Sequence, residues 1–202
     1  MNEKNIELEL RAEVLPQDQE SIKNKIAELG ALHSHTKRLS VMYFGSVGTK
    51  KIDIRIRITN GECEIVVKSG SFGSHDRIEI AQKIDIVQFL GLVKILAQLD
   101  FVMEIGERET FNYELPDEIV VSLVSTGPIA YIELEKMSSR SDLDQNNTQL
   151  HELANRLKLQ LLDSDKEFDS LCKRLAEKVD WPFHGTKEDY EKLIGLINRY
   201  TN

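Results

Sequence analysis

Only two cysteines, Cys63 and Cys172, occur in 202 residues, too few for a disulfide framework. Two reduced thiols in a cytoplasmic protein is the plain expectation. No apolar run approaches the roughly 20 residues that cross a bilayer, and the opening MNEKNIELEL lacks the apolar centre of a secretory leader. A positive surplus is missing too. The net charge of −8 excludes a broad nucleic-acid or anionic-membrane surface, so neither DNA nor membrane is expected as a partner, while a local basic pocket stays compatible. Internal repeats and low-complexity segments are absent. The Gly70–Gly73 loop has no Gly-Lys-Ser/Thr ending of the phosphate-binding type. His33-Ser34-His35 has no third ligand at metal-site spacing and reads as a loop, and His75, His151 and His184 are isolated. Asn146-Asn147-Thr148 matches a glycosylation triplet, but nothing else suggests secretion.

What is present is alternation. Lys51 to Lys68, KIDIRIRITNGECEIVVK, reads as a β-hairpin about an Asn60-Gly61 turn. A two-residue turn sets Thr59 opposite Glu62, Ile58 opposite Cys63, Ile56 opposite Ile65 and Ile54 opposite Val67. The other face then carries Arg57 opposite Glu64, Arg55 beside Val66, and Asp53 opposite Lys68. The hairpin is oily on one side and charged on the other. Whether the charged side meets bulk water or a closed space is the question the sequence raises.

The rest of the chain follows the same pattern. Residues 6–14, IELELRAEV, alternate as a strand, and Pro16 opens a helix to about Leu29, with Gly30 as its stop. Residues 39–44 form a short strand, and Arg77 to Ile80 alternates again. Residues 84–99 give the most apolar helix, expected to be largely buried on a sheet. Residues 101–105 and 111–115 suggest two strands with a polar connection around Arg108; residues 118–124 and 131–135 suggest two more. Beyond Met137 the pattern turns helical, near 143–161, 165–179 and 186–199, broken at Trp181-Pro182-Phe183. This composition, 41% apolar and 30% charged, suits a soluble α+β protein with a largely antiparallel sheet.

Charged strand faces are ordinarily solvated. Here, though, several strands carry dense Glu and Arg together. The first strand offers Glu7 and Glu9, and the last offers Glu133 and Glu135; others offer Arg11, Arg55, Arg57, Lys68, Arg77 and Arg108. Facing inward, carboxylates suit Mg²⁺ or Mn²⁺ and guanidinium groups suit phosphate oxygens. Neither set is tolerable inside without the other, because bare buried ions are costly.

These residues resemble the CYTH-domain proteins of the triphosphate tunnel metalloenzyme superfamily. Glu7-Leu8-Glu9-Leu10-Arg11 is similar to the opening ExExK signature, with Arg in place of Lys, and Arg55-Ile56-Arg57 and Lys68 match the next cationic motifs. Arg77-Ile78-Glu79-Ile80-Ala81 matches RxExE only in part, since Ala81 replaces a Glu. Arg108 matches a later motif in which Gly106 stands where Lys is usual, and Ser122 stands where Asp is common. Tyr131-Ile132-Glu133-Leu134-Glu135 resembles the closing FxExE.

The resemblance implies an eight-stranded antiparallel β-barrel forming a tunnel, with flanking helices and a helical C-terminal tail. It implies a tunnel domain over residues 1–160 and a helical extension over 161–202 packed on the barrel. Glu7, Glu9, Glu133 and Glu135, with Glu79, would hold the metal, Mg²⁺ or Mn²⁺. Arg55, Arg57, Lys68, Arg77 and Arg108 would grip a triphosphate or nucleotide, and Glu7, Glu9 and Arg11 would act in catalysis. The expected activity is metal-dependent hydrolysis of inorganic or organic triphosphates by a monomer or homodimer. The alternatives are an adenylyl cyclase of the class IV type and a non-catalytic polyphosphate-binding module; the sequence shows no base-recognition signature.

Overall fold

The computed structural model describes residues 6–69, 78–162 and 164–201. Among the described residues, nine antiparallel strands and five α-helices make an α+β fold. The strands are β1 (Ile6–Val14), β2 (Ala31–Val47), β3 (Lys50–Thr59), β4 (Glu62–Ser69), β5 (Ile78–Ile84), β6 (Val102–Leu115), β7 (Ile119–Ser125), β8 (Ala130–Ser138) and β9 (Trp181–Pro182). The helices are α1 (Gln19–Ala27), α2 (Ile86–Leu96), α3 (Leu143–Leu157), α4 (Asp165–Lys178) and α5 (Lys187–Thr201). Strand order is β1-β8-β7-β6-β2-β3-β4-β5, with β9 added on β6. Among the described residues this path is open, with β1 and β5 at its ends, so the expected eight-stranded barrel is not closed by hydrogen bonds.

The chain divides into two compact units, residues 1–35 with 109–173 and residues 36–108 with 174–202. Each has its own core. In the first, Val14, Ile26, Tyr113, Val121, Ile132 and Leu134 pack against Leu150, Ala154 and Leu157 of α3. In the second, Leu39, Val41, Tyr43, Ile54, Ile56 and Ile58 pack with Phe89 and Val93 of α2 and Leu193 and Leu196 of α5.

The hairpin forms in the register its sequence dictates, Thr59 to Glu62 through Asp53 to Lys68. Asn60 and Gly61 take φ of +48° and +86°, the backbone of a tight turn whose twist matches the strands. Elsewhere the local pattern misled. Residues 39–44 lie inside the 17-residue β2, which also contains His33-Ser34-His35, expected as a loop. There His33 meets Glu114 at 3.1 Å, while His35 meets Glu109 at 2.7 Å and stacks on Phe111. The two strands expected around Arg108 are one, β6, 14 residues long. Its charged middle interrupts apolar alternation but keeps the backbone extended, because Arg108 and Glu107 find partners in Asp180 and Arg199. Trp181-Pro182 does break the helical run between α4 and α5, as expected, and there pairs with β6. Helix α2 buries only Phe89 and Val93, and Val87 and Ile95 are exposed, contrary to the expectation of a largely buried helix.

Candidate functional site

In the first unit, β1 and β8 pair so that Glu9 lies opposite Glu135 and Arg11 opposite Glu133. Leu8, Leu10, Ile132 and Leu134 point into the core, so alternation sends these four charged side chains to the other face. That face is not open water. The side chains of Glu9, Arg11 and Glu133 are only 22–23% exposed. Phe168 of α4 lies over the Arg11 guanidinium, 4.1 Å from its ring centre. The chain before α4 is tied to β1 through Leu162 N–H donating to the Arg11 carbonyl.

Oxygens of Glu9, Glu133 and Glu135 lie within 4.8 Å of one another. Arg11 donates to Glu9 and, at 3.5 Å, to Glu133. One guanidinium among three carboxylates leaves negative charge in a poorly hydrated place. Burial, then repulsion from Glu133, pushes Glu9 up to about 8 despite Arg11. Burial, then Glu133 and Glu7, pushes Glu135 up to about 7. A divalent cation removes this conflict. Mg²⁺ and Mn²⁺ prefer hard oxygen ligands; at the Mg²⁺ distance of about 2.0–2.1 Å two ligands of one ion lie at most about 4.2 Å apart, so oxygens within 4.8 Å of one another reach a shared ion by a small side-chain shift. The residues fit the metal.

Glu7 lies two residues along the same face, opposite Met137, and is exposed. Among the described residues it is outside the three-oxygen cluster. Ser122 sits directly opposite Glu133 and is buried. Its hydroxyl donates to Asn112 Oδ1 at 2.8 Å, and Asn112 Nδ2 donates to Ser34 Oγ at 2.9 Å. A row of neutral polar groups therefore continues the acidic cluster across β7, β6 and β2. The sequence singled out neither Asn112 nor Phe168; each lies in a stretch without a motif, and only the strand register and the covering helix give them a place.

In the second unit the cationic candidates lie on the charged face of β3 and β4. That face is secluded as well: the side chains of Asp53 and Arg57 are 4% and 11% exposed. With Ile54, Ile56 and Ile58 buried on the other side, β3 is screened from water on both faces. Arg55 grips Asp53 with Nη2 at 2.8 Å and Nε at 3.0 Å, and Arg57 Nε donates to Glu64 at 2.7 Å. Lys68 stands opposite Asp53 in register. Arg108 makes a two-pronged pair with Asp180, at 2.7 and 2.8 Å. Asp180 was missed in the sequence, since it sits between two helical patterns with no motif around it. Glu79 is placed by its backbone opposite Lys68. Its side chain, and all of Arg77, lie outside the described residues.

The CYTH domain profile matches residues 5–168. The chain belongs to the CYTH family. The match spans the acidic cluster, the hairpin and Arg108, and stops before Asp180. No curated protein matches the chain. Among solved structures, a protein from Pyrococcus horikoshii OT3 is 20% identical with a TM-score of 0.58, over 77% of this chain and 92% of that one. An adenylate cyclase candidate from Vibrio parahaemolyticus is 16% identical with a TM-score of 0.57, over 82% and 98%. A candidate adenylyl cyclase from Hippeastrum, described as having a dominant triphosphatase activity, is 15% identical with a TM-score of 0.52, over 83% and 95%. At such identities the likeness is one of fold, and this CYTH chain takes its chemistry from its own residues.

Proposed function

We propose that this CYTH protein is a divalent-metal-dependent hydrolase of triphosphate-containing substrates. The observation that carries the reading is the cluster of Glu9, Glu133 and Glu135, three carboxylates held together in a partly dry place with one arginine. The triphosphatase activity described for the Hippeastrum protein supports it.

Glu9, Glu133 and Glu135 would hold Mg²⁺ or Mn²⁺. When bound, the ion supplies positive charge to neutralise and align phosphate oxygens. Arg11, fixed by two carboxylates and the Phe168 ring, keeps the cluster's geometry and adds charge for the transferred phosphoryl group. Arg55, Arg57 and Lys68 are proposed as phosphate ligands; Asp53 and Glu64 engage the two arginines side-on through Nε, unlike the end-on pair that Arg108 makes with Asp180 through both terminal nitrogens. Glu7, the exposed carboxylate of the row, is proposed to accept the proton of the attacking water. That water bonds to the terminal phosphorus as the bridging P–O bond breaks, and the remaining phosphates depart with the electron pair.

One observation favours a second reading, a non-catalytic polyphosphate-binding module. Ser122 stands opposite Glu133 with its hydroxyl committed to Asn112, and Ala81 stands opposite Val66, so neither position adds a carboxylate. Phosphate release from tripolyphosphate, ATP and thiamine triphosphate with Mg²⁺ or Mn²⁺ separates the two. Hydrolysis predicts release by the wild type that falls at least about 100-fold in Glu9→Gln and Glu135→Gln. Equal release by all three proteins removes the catalytic reading. Saturable tripolyphosphate binding without turnover establishes the module, and pyrophosphate formed with cyclic AMP points to the cyclase.

A further inference from the structure

Arg108 is a phosphate-ligand candidate by sequence, yet its guanidinium already holds an anion. Asp180 Oδ1 and Oδ2 accept from Nη1 and Nη2 at 2.7 and 2.8 Å, the fork geometry that an arginine otherwise offers to phosphate. The Asp180 side chain is 4% exposed and its place is fixed on both sides. Before it, Asp180 N–H donates to the Leu175 carbonyl at 2.9 Å, closing α4. After it, β9 pairs with Glu104 and Ile105 of β6, and Phe183 N–H donates to the Met103 carbonyl at 2.9 Å. Phe183 is buried and meets Tyr190 edge-on, locking the segment to α5.

Gly106 belongs to the same device. A Cβ at this position would lie 2.3 Å from Asp180 Oδ1 and 2.8 Å from Arg108 Nη1, so any side chain at position 106 displaces the carboxylate from the fork. The absent side chain at Gly106 thus leaves the room that the Arg108–Asp180 fork occupies. Glu104 lies close by. Burial, then the Asp180 charge, raises its carboxyl while Arg108 pulls the other way.

We propose that Asp180 is a specificity-determining residue: a resident anion, contributed by the segment beyond the family match, that keeps Arg108 from polyphosphate oxygens and lowers the protein's affinity for polyphosphate. The inference rests on the triphosphate reading, and phosphate release by the wild type decides that reading separately.

The test is tripolyphosphate affinity by calorimetry in EDTA, where metal-dependent turnover is stopped, for the wild type, Asp180→Asn, Asp180→Ser and the double variant Asp180→Asn/Arg108→Ala. Removal of the Asp180 carboxylate is expected to tighten binding about tenfold in both single variants, and the gain is expected to vanish in the double variant. Equal or weaker binding by single variants that melt cooperatively overturns the proposal, as does an absence of binding by all four proteins. A readout independent of variant folding is the Arg108 Nε–Hε resonance of the wild type. It is expected to stay in place on saturation with tripolyphosphate; a shift would mean that the fork exchanges carboxylate for phosphate, and would sink the idea.

Discussion

Glu9 and Glu135 carry the sharpest residue-level consequence. Both have folded pKa values, about 8 and about 7, above their ordinary value of 4.5. A raised carboxyl favours the folded state at low pH and withdraws that support as pH rises through its folded value. In EDTA, the melting temperature is therefore expected to fall between about pH 5 and pH 8 through these two groups, and Glu9→Gln is expected to flatten the slope. Mn²⁺ is expected to restore more stability at pH 8 than at pH 6, because the ligands must release protons to bind it. A metal-free melting curve that rises over this range would contradict the assignment. At Arg57 the expectation differs in kind. Arg57→Ala removes a phosphate ligand and leaves the half-buried Glu64 without its 2.7 Å partner. Tripolyphosphate affinity is expected to drop about tenfold or more, with a loss of about 3 kcal/mol in urea unfolding. Unchanged binding by a folded Arg57→Ala protein would remove Arg57 from the proposed ligands.

Among the elements, the hairpin was the most legible. Alternation set its faces and Asn60-Gly61 set its register, since a one-residue slip would turn every isoleucine outward. Gly61 is needed for its φ of +86°, so Gly61→Ala is expected to cost about 1 kcal/mol by urea unfolding; no loss would show the turn adapting to another type. The strands β2 and β6 were legible only in part. Their polar stretches, His33 to Arg38 and Glu107 to Thr110, carry no apolar period; neighbouring strands pair with parts of them, and partners such as Glu114 for His33 and Asp180 for Arg108 take up their charges. The acidic pairs of β1 and β8 were readable as motifs. Their meeting was not, because it depends on a register of Glu9 with Glu135 between residues more than a hundred positions apart. Helix α2 shows the converse: its composition asks for burial, yet Val87 and Ile95 find no cover among the described residues.

At the scale of the molecule, two cores hold two charged faces, and the charge on those faces is what a packed protein ordinarily avoids. Large apolar side chains offset it. Ile56 and Leu150, one in each core and both fully buried, are each expected to cost about 2–5 kcal/mol when cut to alanine, measured by urea unfolding. The acidic face of the first unit is the less balanced of the two, three carboxylates to one guanidinium, and a bound cation is the simplest chemistry that completes it. Anomalous diffraction at the manganese edge, from crystals grown with Mn²⁺ and tripolyphosphate, addresses this most directly. A peak about 2.0–2.6 Å from carboxylate oxygens of Glu9, Glu133 and Glu135 is the expected result. Full-occupancy manganese elsewhere, or none at these three side chains while tripolyphosphate is bound, would contradict it.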